Sequence, residues 1–246
     1  MAAAAAIDPA LVARLARARR VCVLTGAGVS AESGVPTFRD AQSGLWARYD
    51  PLELATPEAF ERDPALVWRW YRWRRELVAA ALPNPAHRAL ARLAGRVSDL
   101  TLVTQNVDGL HQRAGSPEVI EFHGNLFVDR CAVEGIAVDA DPAAAVPRCP
   151  GCGGPVRPGV VWFGEAIPAD ALERSFAAAA RCDLFLSVGT SSLVYPAAGL
   201  AGIAREAGAT LVEINPEPTG LAAHADFTIA APAGRALPEL LDCLGD

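Results

Sequence analysis

Three groups of residues in this 246-residue chain have types and spacings that could do chemistry. The first is Gly26-Ala27-Gly28-Val29-Ser30-Ala31-Glu32-Ser33-Gly34, which directly follows the apolar stretch Val21–Thr25. Small residues after a strand let backbone N–H groups approach a pyrophosphate, although a plain strand-to-helix turn uses the same residues. Just beyond it, Phe38 could shield a reactive sugar and Arg39 could grip a phosphate through two N–H groups. No acidic residue closes a second strand about 20 residues later, as ribose recognition in an ordinary dehydrogenase requires, so simple hydride transfer is disfavoured. The second group is the four histidines, candidate general bases near neutral pH. His87 and His224 read as ordinary polar residues, and His111 as a residue near a helix start. His123 stands at a strand end in Phe122-His123-Gly124, where ligands of α/β sheets sit. The third group is Cys149-Pro150-Gly151-Cys152, which has metal-ligand spacing.

Composition limits what these groups can be used for. All 22 basic residues are arginine, which excludes a P-loop lysine, a Schiff-base lysine and a Ser-Lys dyad. A net charge of −6 argues against a basic nucleic-acid-binding face. Six cysteines are too few for a disulfide scaffold, and no apolar run reaches the roughly 20 residues that a membrane span needs. A soluble, cytoplasmic protein in a reducing compartment is expected, with no membrane partner. The alanine-rich start, with Arg14, Arg17, Arg19 and Arg20, has the flavour of a transit peptide. Asp8-Pro9, however, reads as the cap and first turn of the fold's own first helix.

The elements that must position these residues alternate. Val21–Thr25, Leu100–Gln105, Val119–Phe122, Asp183–Val188 and Thr210–Asn215 read as buried strands. Asn84–Gly95, Pro168–Arg181, Pro196–Gly208 and Gly234–Leu244 read as helices. Such alternation predicts an α/β fold, a Rossmann-like doubly wound parallel sheet covered on both faces. Two stretches interrupt it: a tryptophan-rich helical insertion at about 40–83, and a Pro/Gly/Ala-rich small module at about 125–159. The sheet is then assembled from about 1–39, 84–124 and 160–246, as one catalytic domain spanning 1–246.

In order and spacing, six motifs together resemble the sirtuins, NAD-dependent protein deacylases. They are Gly26–Asp40, Thr104–His111 (TQNVDGLH), Phe122-His123-Gly124, Val160–Glu165 (VVWFGE), Gly189-Thr190-Ser191-Ser192 and Asn215-Pro216-Glu217. The resemblance covers nearly the whole chain, from about Val21 to Pro238. It implies cleavage of the glycosidic bond of NAD and transfer of an acyl group from a protein lysine to ADP-ribose, with His123 as base. It further implies that Asn106 holds the ribose and a water and that Asp108 takes the nicotinamide carboxamide. Gly26, Ala27, Gly28, Ser30, Glu32, Phe38, Arg39, Gln105, Gly189, Thr190 and Ser191 would line the rest of the nucleotide site. Asn215 and Glu217 would meet the adenosine ribose and a loop at Ala233 the adenine. Pro216, often absent from the family between those two residues, fixes one φ and removes a donor, which puts Glu217 in doubt. Val161, Trp162 and Phe163 would pair with the backbone of the substrate peptide.

Two departures narrow the reading. Family members hold structural zinc with two Cys-x-x-Cys pairs, and here the first pair reads Cys131-Ala132-Val133-Glu134. Either Glu134 joins Cys131, Cys149 and Cys152 as a fourth ligand, or the module has lost its metal. Within α-helical spacing, Tyr71 and Arg74 share a face. The arginines around them, Arg69, Arg72 and Arg75, favour a merely solvated face. Yet Tyr-x-x-Arg here, with the small Ala55 nearby, resembles the sirtuin branch that removes succinyl, malonyl and glutaryl groups. An NAD-dependent lysine deacylase of that branch is the expectation. A mono-ADP-ribosyltransferase and a non-catalytic NAD sensor remain as alternatives.

Overall fold

The computed structural model describes residues 7–36 and 50–245; Phe38, Arg39 and residues 40–49 of the expected insertion lie outside them. In chain order the strands are β1 (Arg20–Thr25), β2 (Asp99–Thr104), β3 (Val119–Glu121), β4 (Gly124–Cys131), β5 (Val156–Val160), β6 (Leu184–Val188), β7 (Thr210–Ile214) and β8 (Phe227–Ile229). Among the described residues the helices are α1 (Pro9–Arg17), α2 (Pro51–Leu54), α3 (Pro57–Arg62), α4 (Pro64–Ala80), α5 (Pro85–Ala94), α6 (Leu110–Arg113), α7 (Ala169–Ala179), α8 (Gly199–Glu206) and α9 (Ala233–Asp242). None is long and apolar enough to cross a membrane.

Six strands form one parallel sheet in the order β3-β2-β1-β6-β7-β8. The continuous apolar runs in β1, β6 and β7 fit strands covered on both faces. Leu11, Leu15, Leu90, Leu93, Leu237 and Leu240 bring α1, α5 and α9 onto one face. Ala179, Leu200 and Ala204 bring α7 and α8 onto the other, around Phe185. The expected doubly wound layers are therefore present.

Local signals set several helix ends. Asp8 accepts a hydrogen bond from the Ala10 N–H at 2.7 Å, with Pro9 as the first helical residue. Asn84 caps α5 through the Ala86 N–H at 2.8 Å, again followed by proline. Other boundaries move. Gln105 and Asn215, expected as strand residues, lie just past β2 and β7, and β5 stops at Val160. Strands β4 and β8 had no legible pattern. The β4 ladder with β5 is broken by a register shift between Gly124 and Asp129, and β8 is a three-residue edge.

A third core joins α4 to the small β4–β5 sheet, with Trp68, Trp70 and Tyr71 packed among Leu126, Val156 and Trp162. The α4 arginines are not simply a solvated face. Arg72 donates to the carbonyls of Ala144 and Ala145. Arg75 donates to Leu126 O at 2.7 Å and pairs with Asp129 at 2.7 Å, its guanidinium 5.2 Å from the Trp68 ring.

Strand order reverses between β1 and β6, and the C-terminal end of that seam is where ligands bind to such sheets. There Gly28 N–H donates to Gly189 O at 2.8 Å. Gly189 has φ +58, and a Cβ on it would strike Val29 N and lie 2.6 Å from Gly28 C. Backbone cannot yield as a flexible side chain can. Gly189→Ala should therefore cost about 2–3 kcal/mol, lowering Tm by about 5–10 °C in a calorimetric scan. An unchanged Tm would show that the two loops do not need this approach.

Candidate active site

The loops after β1 and β6 form the cradle. Gly26 N–H donates to Val188 O at 3.1 Å, and a Cβ on Gly26 would lie 2.8 Å from the Thr190 Cβ. The backbone from Ala27 to Ser33 winds into a 3₁₀ turn that ends at Gly34, φ +77. Glu32, expected at the nucleotide, gives its carboxylate to the Gly234 N–H at 2.6 Å, so it ties this turn to the start of α9 beside buried Ala233. Asn215 donates to Thr190 O at 3.3 Å, and Ser191 follows at the cradle's rim. Glu217 is exposed beyond Pro216.

Behind the cradle, Ser30 is 1% exposed and its hydroxyl is fully used. It donates to Asp108 Oδ2 at 2.7 Å and accepts from Asn106 Nδ2 at 3.1 Å. His87 Nδ1 accepts the Asn84 N–H at 3.3 Å, so its Nε2 carries the proton and donates to Ser30 Oγ at 3.3 Å. Asp108 Oδ1 takes the Leu110 N–H at 2.9 Å. Gln105 reaches Thr190 Oγ1 at 3.0 Å. Reading His87 as an ordinary polar residue missed this network. His87 is fully buried, its ring 4.8 Å from that of His111, which is 1% exposed and bonded through Nε2 to Thr25 Oγ1 at 3.0 Å. The only advance signal was His87 at the third position of a capped helix, and nothing local revealed its depth.

His123 lies between β3 and β4, half-buried. Its Nδ1 is 3.0 Å from Gln105 O. A carbonyl only accepts, so Nδ1 holds the proton and Nε2 presents a bare lone pair. Burial pushes its pKa below the ordinary histidine value, and the Gln105 carbonyl opposes this. The ring is therefore neutral at pH 7, as a base must be.

A second cluster closes the far side. Tyr71, 1% exposed, accepts from Trp162 Nε1 at 2.8 Å. The Arg74 guanidinium lies 5.6 Å from the Tyr71 ring centroid and 5.0 Å from that of Trp70, and burial lowers its pKa while Tyr71 and Asp108 raise it. Ala55 is buried in this core, and its carbonyl accepts the Phe163 N–H at 3.0 Å. Val161 N–H goes to His123 O at 2.9 Å and Trp162 N–H to Glu165 Oε2 at 2.8 Å. All three N–H groups of this edge are thus donated within the chain, so a peptide laid along it meets them already occupied.

The arrangement offers a nucleotide cradle, a neutral histidine and a buried phenol beside a guanidinium. The Sir2 family model matches residues 26–196. The chain belongs to the Sir2 family. A sirtuin from Pseudomonas aeruginosa, named NAD-dependent protein deacylase 1, is 57% identical over 242 residues, covering 94% of this chain and 97% of the relative. The NAD-dependent protein deacylase 2 of Pyrobaculum aerophilum is 53% identical over 230 residues, covering 93% and 92%. Among solved structures, a Sir2 homolog–NAD complex superimposes with TM-score 0.90 at 44% identity, covering 99% of this chain and 96% of that one. A Sir2–p53 peptide–NAD+ complex does so with TM-score 0.85 at 31% identity, covering 96% and 98%.

In this sirtuin Cys131, Glu134, Cys149 and Cys152 each offer one ligand atom, all within 4.8 Å of one another. Cys131 Sγ is 3.4 Å from Cys152 Sγ, and Cys149 Sγ is 3.4 Å from Glu134 Oε2. A tetrahedral zinc with bonds of about 2.0–2.3 Å sets ligand separations of roughly 3.3–3.8 Å; two of the separations already match and the rest, within 4.8 Å, need only a small side-chain closure, so the donor set fits. The Glu134 N–H, 3.3 Å from Cys131 Sγ, holds that thiol below its ordinary pKa and favours the thiolate that a metal requires.

Two outcomes follow from this geometry. Protein purified without chelator should hold about one zinc per chain by elemental analysis, and Glu134→Cys should resist a competing chelator at least as well. Zinc in that variant but none in the parent would mean that the carboxylate is no ligand. Separately, burial lowers His87 to about 4 and His111 to about 3, with their mutual repulsion adding to the latter. An unfolded histidine takes its proton near 6.5, so the unfolded state binds more protons below that pH and stability falls as pH falls. Between pH 7 and 5 the two should cost about 4 kcal/mol together in urea unfolding, and His87→Gln should roughly halve the loss. A pH-independent midpoint would contradict their buried, neutral state.

Proposed function

We propose that this sirtuin removes succinyl and malonyl groups from protein lysines, with acetyl a weaker substrate. The chain is an NAD-dependent protein-lysine deacylase. Its products are nicotinamide, O-acyl-ADP-ribose and free lysine. NAD, when bound, supplies an activated ribose carbon to which the acyl oxygen is passed.

This chain's residues divide the remaining work. The backbone of Gly26, Ala27 and Gly28, with Gly189, Thr190 and Ser191, faces the pyrophosphate. Asn215, Glu217 and Ala233 take the adenosine end. Asp108, pinned by Ser30 and Leu110, receives the carboxamide, and Asn106 orients the ribose and a water. His123 Nε2 accepts the proton of a ribose hydroxyl while Nδ1 stays on Gln105 O. The peptide lies against Val161–Phe163. Cys131, Glu134, Cys149 and Cys152 would hold a zinc that ties the small sheet's end together and takes no part in the chemistry. A cytoplasmic location suits six cysteines of which none is in a disulfide.

One observation carries the acyl preference: the Arg74 guanidinium lies 5.6 Å from the Tyr71 ring centroid and 5.0 Å from that of Trp70, in the tryptophan-lined core beside small Ala55. A guanidinium held among rings is suited to a terminal carboxylate, which it can grip through two N–H groups. Acetyl-lysine has no such group. Arg74→Met should lower kcat/KM on a succinyl-lysine peptide by about 10- to 150-fold, the worth of a hydrogen bond to a charged group. On an acetyl-lysine peptide the loss should be no more than a few-fold. Equal losses on both, or none on succinyl, would return the pair to a purely structural role.

A further inference from the structure

The polar groups around Tyr71 determine more than its position. Its phenolic oxygen can accept two hydrogen bonds and donate one. The Trp162 indole N–H, 2.8 Å away, can only donate, and so can the Arg74 guanidinium. The indole therefore fills one lone pair, the guanidinium 5.6 Å from the phenol ring centroid offers only further donors, and among the described residues no acceptor takes the hydroxyl proton.

The indole is itself held on several sides. Arg157 lies flat on it, Cζ 3.4 Å from the ring centroid, and Phe60 packs at 5.4 Å between centroids. The same guanidinium pairs with Glu165, at 2.8 Å through Nη2, and donates to Val160 O at 2.8 Å. Glu165 Oε2 in turn takes the Trp162 N–H. Ring and backbone of Trp162 are thus fixed by one ion pair. Arg157 and Glu165 side chains are 12% and 26% exposed, so water screens this pair little.

We infer that Trp162, clamped by Arg157 and Glu165, is a positioning residue for acyl selection. By filling a lone pair of the Tyr71 oxygen where the neighbouring cation also offers only donors, it fixes that hydroxyl with its proton unspent, and the acceptor it serves is the terminal carboxylate of the acyl chain. The inference rests on the acyl preference proposed above. A tail ending in a cation or another obligate donor would find no acceptor there, and a plain acetyl group ends short of it.

The test is a double-mutant cycle on the intact enzyme. Trp162→Phe keeps an aromatic ring and removes the N–H; it is made in the parent and in Tyr71→Phe. kcat and KM are measured for succinyl-lysine and acetyl-lysine peptides at saturating NAD. In the parent background the succinyl-to-acetyl ratio of kcat/KM should fall about 3- to 10-fold, mainly through the succinyl KM, as loss of one neutral hydrogen bond predicts. In the Tyr71→Phe background the same change should leave that ratio within about two-fold. Should Trp162→Phe not fold, Arg157→Met keeps the indole but frees it to swing, and the ratio should fall in the same Tyr71-dependent way. An unchanged ratio, or an equal fall in both backgrounds, overturns the inference. A parent that loses succinyl activity on Arg74→Met but is indifferent to Trp162→Phe sinks this inference alone; a parent with no succinyl preference sinks both.

Discussion

The Ser30 hydroxyl joins three segments that are far apart in the chain: the turn after β1, the capped start of α5 and the loop after β2. It accepts hydrogen bonds from His87 and Asn106 and donates its own to Asp108. Removing one member of so buried a set leaves an unpaired polar group, which costs more than a surface bond returns. This one oxygen therefore makes the cradle, Asn106 and Asp108 a single rigid unit. Asn84 reinforces it from the α5 side, donating to Val29 O at 2.8 Å and to Ser33 Oγ at 3.1 Å. Burial keeps the two histidines beneath it neutral, so the site's one half-buried histidine, His123, is free to titrate for function.

The second half of the molecule is organised by planar cations. With no lysine in the chain, the long-range polar ties from permanently charged basic side chains are all guanidinium ones, whose donors lie in one plane at fixed angles. Arg72 and Arg75 read backbone carbonyls of the small module from α4, and Arg157 satisfies a carboxylate and a carbonyl while stacking on an indole. A flexible ammonium could match the charge but not the simultaneous flat stacking and forked donation. These ties hold Tyr71 and Arg74 at a set depth relative to His123. The Glu134 substitution near the small sheet's end keeps the same logic: it preserves a negative donor where a neutral residue would have removed one ligand.

How much of this was legible beforehand follows from what kind of signal each feature leaves. Short-range rules are written in adjacent residues. The continuous apolar runs of β1, β6 and β7 announced strands buried on both faces. Asp8-Pro9 and Asn84-Pro85 announced helix starts, and Cys149-Pro-Gly-Cys152 announced ligand spacing. The order of six motifs pointed to the family and, through it, to His123, Asn106 and Asp108. Each depends on a periodicity or spacing of a few residues, which a chain expresses before it folds.

What only the tertiary structure decided were contacts between positions with no local relation. Trp162 and Tyr71 lie 91 residues apart, Ser30 and Asp108 78 apart, and Arg75 and Asp129 54 apart. The depth of His87, the clamping by arginines that resembled a solvated face, and the interrupted β4 ladder all came from packing of separate segments. Burial and hydrogen-bond partnership belong to pairs of surfaces rather than to stretches of chain. A sequence by itself can therefore name the residue that could act as base or ligand. Which of its atoms is free to do so is settled when the partners arrive, as Nε2 of His123 is left bare only because the Gln105 carbonyl claims Nδ1.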